Sequence, residues 1–342
     1  MQIIYDKFNH PFATLSNVRF LLDIETTGLS KTNDCIICIG IVYKKNDMSV
    51  SSIQWFAENR SDEVKILKSF LEFCTAYQKV YTYNGKRFDI PFILARLESH
   101  GLNSDSFKSL LFIDMKETLC ILNPKRLSIE NVLGYQRKTS VTGKELVSLY
   151  KLFENTQLIT YQTIILNHHL EELGSLLSFY EYYNTLYQLS SCQLIEIARN
   201  NDTLQIALQV TFNFHTHCDI QLEGTSLSWQ PNTSIIYLKI MLYTGVFKKF
   251  LTPAKDYYLI KGQNQLIHKS VAQFIAKDLK VKVSKKQCFV TKAGTFIRIY
   301  TPFKITFDKW YNDNEALFIE YQEDPKLITF IIQQVVYLLT TR

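Results

Sequence analysis

Asp23 and Glu25 close the apolar run Phe20-Leu21-Leu22-Asp23-Ile24-Glu25-Thr26-Thr27-Gly28-Leu29. Two carboxylates two residues apart on a strand leave the same face of a sheet. Side by side they repel, and a divalent cation between them is the simplest relief. The plainer reading is a strand that ends in a solvated turn over Thr26-Thr27-Gly28. A further acid, Asp89, stands in Asn84-Gly85-Lys86-Arg87-Phe88-Asp89-Ile90-Pro91 at a helix start. There it either caps the helix or, if the preceding strand is a parallel neighbour of the first, reaches the same sheet edge. The third candidate lies in Asn167-His168-His169-Leu170-Glu171-Glu172, where His168 and Glu172 are four apart and share a helical face. A near-neutral imidazole beside a carboxylate can act as a general base, whereas a solvated helix face is the plainer alternative.

The elements that must position these groups follow from the patterning. Apolar runs at residues 35–43 and 49–57 predict, with the first strand, a three-stranded antiparallel meander. Ser61-Asp62-Glu63 predicts the start of a helix with an apolar face of Val64, Leu67, Phe70, Leu71 and Phe73. A strand at 79–83 ends in the turn signal Asn84-Gly85, and the helix after it carries Pro91 in its first turn and Gly101 at its stop. A strand at 110–113 carries Asp114, and helices are expected at 127–133, 145–153 and 160–183. A meander followed by strand–helix alternation is an α/β pattern, a mixed sheet flanked by helices. From about residue 184 the texture turns to alternating polar and apolar residues at 204–214, 219–229 and 234–250. The expected division is therefore 1–184 and 185–342, the second part a smaller α+β domain. Within it, Ile267, Val271, Phe274, Ile275 and Leu279 predict an amphipathic helix over 265–279 with its apolar face packed inside, while 327–339 fits a helix or a strand.

Bulk properties narrow the partners. With 46 % hydrophobic and 20 % charged residues, the 342-residue chain has the composition of a folded protein. Of its net charge of +6, residues 251–310 alone carry +9, twelve Lys or Arg against three Asp or Glu. Such a concentration predicts a polyanionic partner, nucleic acid rather than membrane. Tyr257, Phe289, Phe296 and Tyr300 interleave there with Lys282, Lys285, Lys286, Lys292 and Arg298, which suits either single-strand stacking or an ordinary half-buried sheet. The start Met1-Gln2-Ile3-Ile4-Tyr5-Asp6 lacks the features of a signal peptide, so a cytoplasmic location is expected. Seven scattered cysteines suggest no disulfide framework, and Cys35 and Cys38, three apart on a strand, face opposite sides. Gly143-Lys144 lacks the earlier glycine of a phosphate loop, and His215 and His217 have no further ligands to join them.

The order Asp-x-Glu-Thr-Thr-Gly, Asn-Gly-x-x-Phe-Asp, then His with an acid four residues later resembles the DEDD exonucleases of the ribonuclease H-like superfamily, and within it the YprB-type ribonuclease H-like domain. Asp114 and Gly143-Lys144-Glu145-Leu146-Val147-Ser148-Leu149-Tyr150 correspond to further landmarks, and the likeness spans roughly residues 17 to 183. It implies that Asp23, Glu25, Asp89 and Glu172 hold two Mg²⁺ or Mn²⁺ ions about 4 Å apart around a scissile phosphate, with His168 as the base. It also implies 3′→5′ exonuclease action on nucleic acid, single-stranded DNA ends favoured over RNA, with DNA repair as a setting. One position departs from the pattern. Where the family usually shows His-Asn-x-x-Asp-Val, this chain has His168-His169-Leu170-Glu171-Glu172-Leu173, so the last carboxylate reaches about 1.5 Å further. The alternative that this substitution raises is a catalytically degenerate ribonuclease H-like protein that binds nucleic acid without cutting it. A register with Glu171 in the site would place Asn167 where the base belongs, which favours Glu172.

Overall fold

Arg19–Thr26 (β2) is buried along nearly all its length because strands cover both its edges and helices both its faces. The computed structural model describes residues 1–8, 15–45, 49–119, 125–214, 217–263, 265–300 and 305–340. β1 (Gln2–Phe8), β2, β3 (Ile36–Lys44), β4 (Val50–Phe56), β5 (Lys79–Thr82) and β6 (Leu111–Asp114) form a sheet in the order β1-β4-β3-β2-β5-β6. The pairs β1–β4, β4–β3 and β3–β2 are antiparallel and β2–β5–β6 parallel. The expected meander is present, extended by β1, an edge strand whose alternation of half-buried and exposed residues is a weak signal.

Period-two alternation divides the side chains of β2 between two cores. Phe20, Leu22 and Ile24 pack with α1 (Glu63–Cys74) and α2 (Asp89–Ser99), and each such side chain contributes about 1.5–3 kcal/mol through burial. Leu21 packs on the opposite face with Leu173, Leu176 and Leu177 of a long helix. The connections are the short α3 (Asp105–Lys108) and α4 (Lys116–Leu119), then α5 (Arg126–Val132) and α6 (Gly143–Thr156). α6 opens on a reciprocal cap between Thr142 and Glu145, which gives Gly143 a helix-start role. The long helix is α7 (Ile159–Gln188), 30 residues and thus about 45 Å.

A second sheet begins at β7 (Gln193–Asn200), paired with β8 (Thr203–Gln209), and continues through β9 (Cys218–Leu222), β10 (Thr225–Trp229) and β11 (Ile235–Phe250). β11 pairs with β8 and β10 in its first half and with β15 (Phe289–Arg298) in its second. Between them lies a small sheet of β12 (Tyr257–Ile260), β13 (Gln265–His268) and β14 (Lys280–Lys282) in the order β13-β12-β14, with α8 (Lys269–Ala272) beside it. β16 (Trp310–Tyr311), β17 (Leu317–Glu320) and α9 (Pro325–Thr340) complete the chain, so residues 327–339 are helical. The expected helix over 265–279 is replaced by β13, α8 and a 3-10 turn at Lys277–Leu279, and Phe274 is 83 % exposed instead of packed inside. The residues 219–229 are a hairpin, β9 and β10, turned at Gly224 with φ of +71°.

The core is continuous through α7. Tyr182 stacks on Trp229 at a centroid distance of 5.9 Å, and Leu173 and Phe179 share one apolar cluster with Ile206, Leu227 and Ile236 of the second sheet. Among the described residues no helix is long and apolar enough to cross a membrane.

Candidate active site

Asp23 and Glu25 leave β2 on the α7 side, as the alternation requires, opposite Gly40 and Cys38 of β3. A register shift between Glu25 and Thr26 marks a bulge at the strand end, a common device for aiming a side chain. β5 pairs with β2 only over Arg19–Leu21. Beyond that the edge of β2 is open, and Asp89, from the first turn of α2, accepts the Ile24 N–H at 3.2 Å. The Asn84-Gly85 turn brings it there. Asn84 has φ of +65°, and its N–H donates to the Asp114 carboxylate at 2.7 Å, which also accepts from the Lys86 and Lys116 amides. Asp114 thus holds the turn.

α7 supplies the rest. A Cβ on Gly40 would stand 2.4 Å from His169 Cε1, so only glycine lets the helix come this close to β3. His169 is fully buried, with Nδ1 3.1 Å from the Cys38 sulfur and Nε2 3.6 Å from Asp23 Oδ2. Its neighbour His168 places Nε2 3.8 Å from Glu25 Oε1 and 3.7 Å from Glu172 Oε1. Asp23, Glu25, Asp89, His168 and Glu172 therefore line one cleft of about 900 Å³. Glu171 points away from it. Its carboxylate accepts the Lys138 and Thr139 amides at 2.9 and 3.1 Å and fastens that loop to the helix.

Two arginines, to which the sequence reading assigned no role, enter the same cleft. Arg126, the first residue of α5, bridges Asp23 Oδ1 at 3.6 Å and Glu172 Oε2 at 2.6 Å, with its guanidinium over the Tyr83 and Phe179 rings. Arg137 pairs with Glu172 Oε1 and is braced by Glu130, whose Oε2 accepts its Nε–H at 2.7 Å. Glu130 in turn accepts the Ser175 hydroxyl at 2.5 Å. The one available signal was the surplus of acids, which demands compensating cations, together with Arg126 and Glu130 four apart on a short helix.

Burial and mutual repulsion set the protonation. Burial first, then Glu172, pushes the Asp23 carboxyl up to about 6 against the pull of Arg126. Burial, with Asp23 beside them, raises Glu25 and Asp89 well above the carboxylate range. For Glu172 burial is outweighed by Arg126 and Arg137, and its carboxyl is held below its ordinary value. Burial lowers both imidazoles, His169 to about 4, so both are neutral near pH 7. Among the described residues no three His, Cys, Asp or Glu side chains stand in an arrangement ready to hold an ion. The Arg126 guanidinium lies between Asp23 and Glu172, where it serves as the local countercharge. The donor set itself is hard oxygen, which suits Mg²⁺ or Mn²⁺.

Residues 20–184 match the family model of the RNase_H superfamily. The ribonuclease H-like domain so matched contains the whole candidate site and almost all of α7. No curated protein matches the chain. Among solved structures, the family B DNA polymerase of Pyrobaculum calidifontis aligns at 10 % identity and a TM-score of 0.39, over 94 % of this chain and 41 % of that one. E. coli Exonuclease I in complex with a dT13 oligonucleotide aligns at 9 % identity and a TM-score of 0.29, over 61 % of this chain and 54 % of that one. The zinc-bound form of the E. coli ExoI–ssDNA complex aligns at 8 % identity and a TM-score of 0.31, over 95 % and 73 %. The chain thus spans about two fifths of the polymerase and about half of the first of these exonuclease chains.

Proposed function

We propose that this protein is a metal-dependent 3′→5′ exonuclease that hydrolyses phosphodiester bonds of nucleic acid, with single-stranded DNA ends its favoured substrate. Residues 1–184 form the nuclease domain in this reading and 185–342 a basic domain that assists it. The observation that carries it is the group Asp23, Glu25 and Asp89, crowded into one open cleft beside a neutral imidazole, with Arg126 close to Asp23 and acting on the other two only at longer range. A fold gains nothing from such crowding unless a cation joins it. Polarity, DNA preference, a YprB-type subfamily and a place in DNA repair come from the sequence resemblance alone.

Asp23, Glu25 and Asp89 would hold Mg²⁺ or Mn²⁺, joined by Glu172 once its arginines turn to the substrate. Bound there, the metal supplies Lewis acidity toward the phosphodiester and acidifies water. His168, kept neutral by burial and turned toward Glu25 and Glu172, has a ring nitrogen lone pair to take the proton of the attacking water. Arg126 and Arg137 are placed to grip phosphate oxygens in the fork geometry that guanidinium favours. Tyr135, whose hydroxyl donates to the Glu171 carbonyl at 2.8 Å, and Glu171 keep the loop carrying Arg137 against α7.

A second reading, a degenerate binder that does not cut, is favoured by the Arg126 bridge, which already neutralises Asp23 and Glu172. Labelled DNA and RNA oligonucleotides with free or blocked 3′ ends, incubated with Mg²⁺ or Mn²⁺, separate the two. Stepwise shortening of free 3′ ends, abolished by Asp23→Ala, supports the exonuclease. Oligonucleotides bound yet uncut with either metal support the binder.

A further inference from the structure

A groove of about 740 Å³ opens far along the chain from the carboxylate cleft. Its floor is Phe250, Leu251, Pro253, Ala254, Tyr257 and Val283, and its rim carries Lys255, Lys282, Lys285 and Lys286. All four lysines are exposed, and among the described residues none has an ion-pair partner. Several neighbouring lysines are engaged instead. Lys248, Lys249, Lys269 and Lys292 pair with Asp313, Asp308, Asp256 and Glu320, and Lys280 donates to the Ala272 and Ile275 carbonyls. The one acid in the adjoining turn, Asp256, is therefore already engaged by Lys269 at 3.0 Å.

Four uncompensated cations around one apolar, aromatic groove need an occupant that brings both negative charge and flat apolar surface. A duplex offers such a groove only phosphates, because its bases are stacked and paired. An unpaired strand offers phosphates to the rim and base faces to Phe250 and Tyr257. We propose that this groove binds single-stranded nucleic acid, its lysines on the phosphates and its aromatic floor under the bases, and that it delivers the strand whose end the cleft receives. The delivery step rests on the exonuclease reading. Binding does not.

The test is fluorescence anisotropy of the full-length protein with fluorescein-labelled oligo(dT) in EDTA, where no cutting occurs, across a salt series. Simultaneous Lys255→Gln, Lys282→Gln, Lys285→Gln and Lys286→Gln should weaken binding by at least about tenfold and reduce the salt slope by about 2–3, as loss of that many phosphate contacts requires. Tyr257→Ala should weaken binding by several-fold and leave the slope as it is. The four-lysine variant should melt at the wild-type temperature, since the changed side chains are exposed, and a matched duplex should bind more weakly than the single strand. An unchanged affinity and slope in the four-lysine variant would overturn the proposal, as would equal binding of duplex, or a synthetic acidic peptide that displaces oligo(dT) at lower concentration than unlabelled oligo(dT) does. Asp23→Asn, assayed alongside, should bind normally and fail to cut. If the wild type binds through the lysines yet never cuts, the exonuclease reading fails while the groove stands.

Discussion

Glu172 faces the cleft and Glu171 faces a loop, and this one-residue difference has measurable consequences. Glu172→Ala should lower kcat by on the order of 10²-fold or more, while Glu172→Asp should retain activity because a shorter carboxylate still projects from the same helical position. Glu171→Ala should act more mildly, by loosening residues 138–139. A silent Glu172→Ala with a damaging Glu171→Ala would sink this assignment. The protonation pattern yields a second expectation. Asp23, raised to about 6, keeps a proton in the folded state that the unfolded chain releases near its ordinary value, so stability falls as pH climbs through that window. Glu25 and Asp89, raised further by burial, extend the fall upward. In EDTA the Tm should therefore decline as pH rises above about 6.5, where the lowered imidazoles of His168 and His169 no longer oppose the fall, and Mn²⁺ should offset the decline increasingly as pH rises. A Tm that holds level in EDTA, checked by scanning calorimetry, would dismiss the repulsion. Arg126→Met gives a third test, because it should lower the metal-free Tm yet tighten Mn²⁺ binding by titration calorimetry. Loss of fold alone cannot produce both signs.

The contact of α7 with β3 depends on Gly40, and Gly40→Ala should destabilise by about 1–3 kcal/mol, read by urea unfolding, as His169 and Leu173 are forced outward. A shift of that helix would also carry Glu172 away from Asp23, so activity should fall more steeply than stability. The elements that set this geometry were mostly open to reading. β2 carries an apolar run and β3 is nearly all apolar, Asn84 and Gly101 are turn residues with positive φ, and α7 is a 30-residue stretch without proline. Arg126 and Arg137 escaped because their roles arise from ion pairs reaching 103 residues back to Asp23 and 35 forward to Glu172. Nothing local to either arginine marks such a partner. Residues 265–279 misled for the opposite reason. Ile267, Val271, Phe274 and Leu279 fit a helical period, but a strand, one helical turn and a 3-10 turn satisfy the same spacing and leave Val271, Phe274 and Leu279 exposed. His215, raised as a possible ligand, lies outside the described residues, and His217 faces Gln230.

Across the whole molecule the second sheet completes the core that α7 begins. Phe179, Tyr180, Tyr182 and Leu186 are buried on that helix, with Tyr182 against Trp229. A fragment ending at residue 184 would lack Leu186 and uncover Tyr182, and it should aggregate or melt well below the full chain. Urea unfolding of the full chain, followed by both tryptophan fluorescence and far-UV circular dichroism, should give one coincident transition, and two separated transitions would show that the halves fold independently. The shared helix also has a phase. Each residue of an α-helix turns it by about 100°, so one residue inserted between Glu172 and Tyr182 would leave either the carboxylate or the Trp229 contact facing the wrong way. The distance between them along the chain is in this sense a setting, like the angle between two lobes on a shaft. Point substitutions within that stretch can be absorbed by packing, but a change of length cannot, and homologues that keep both halves should therefore vary there in residue type and never in residue number.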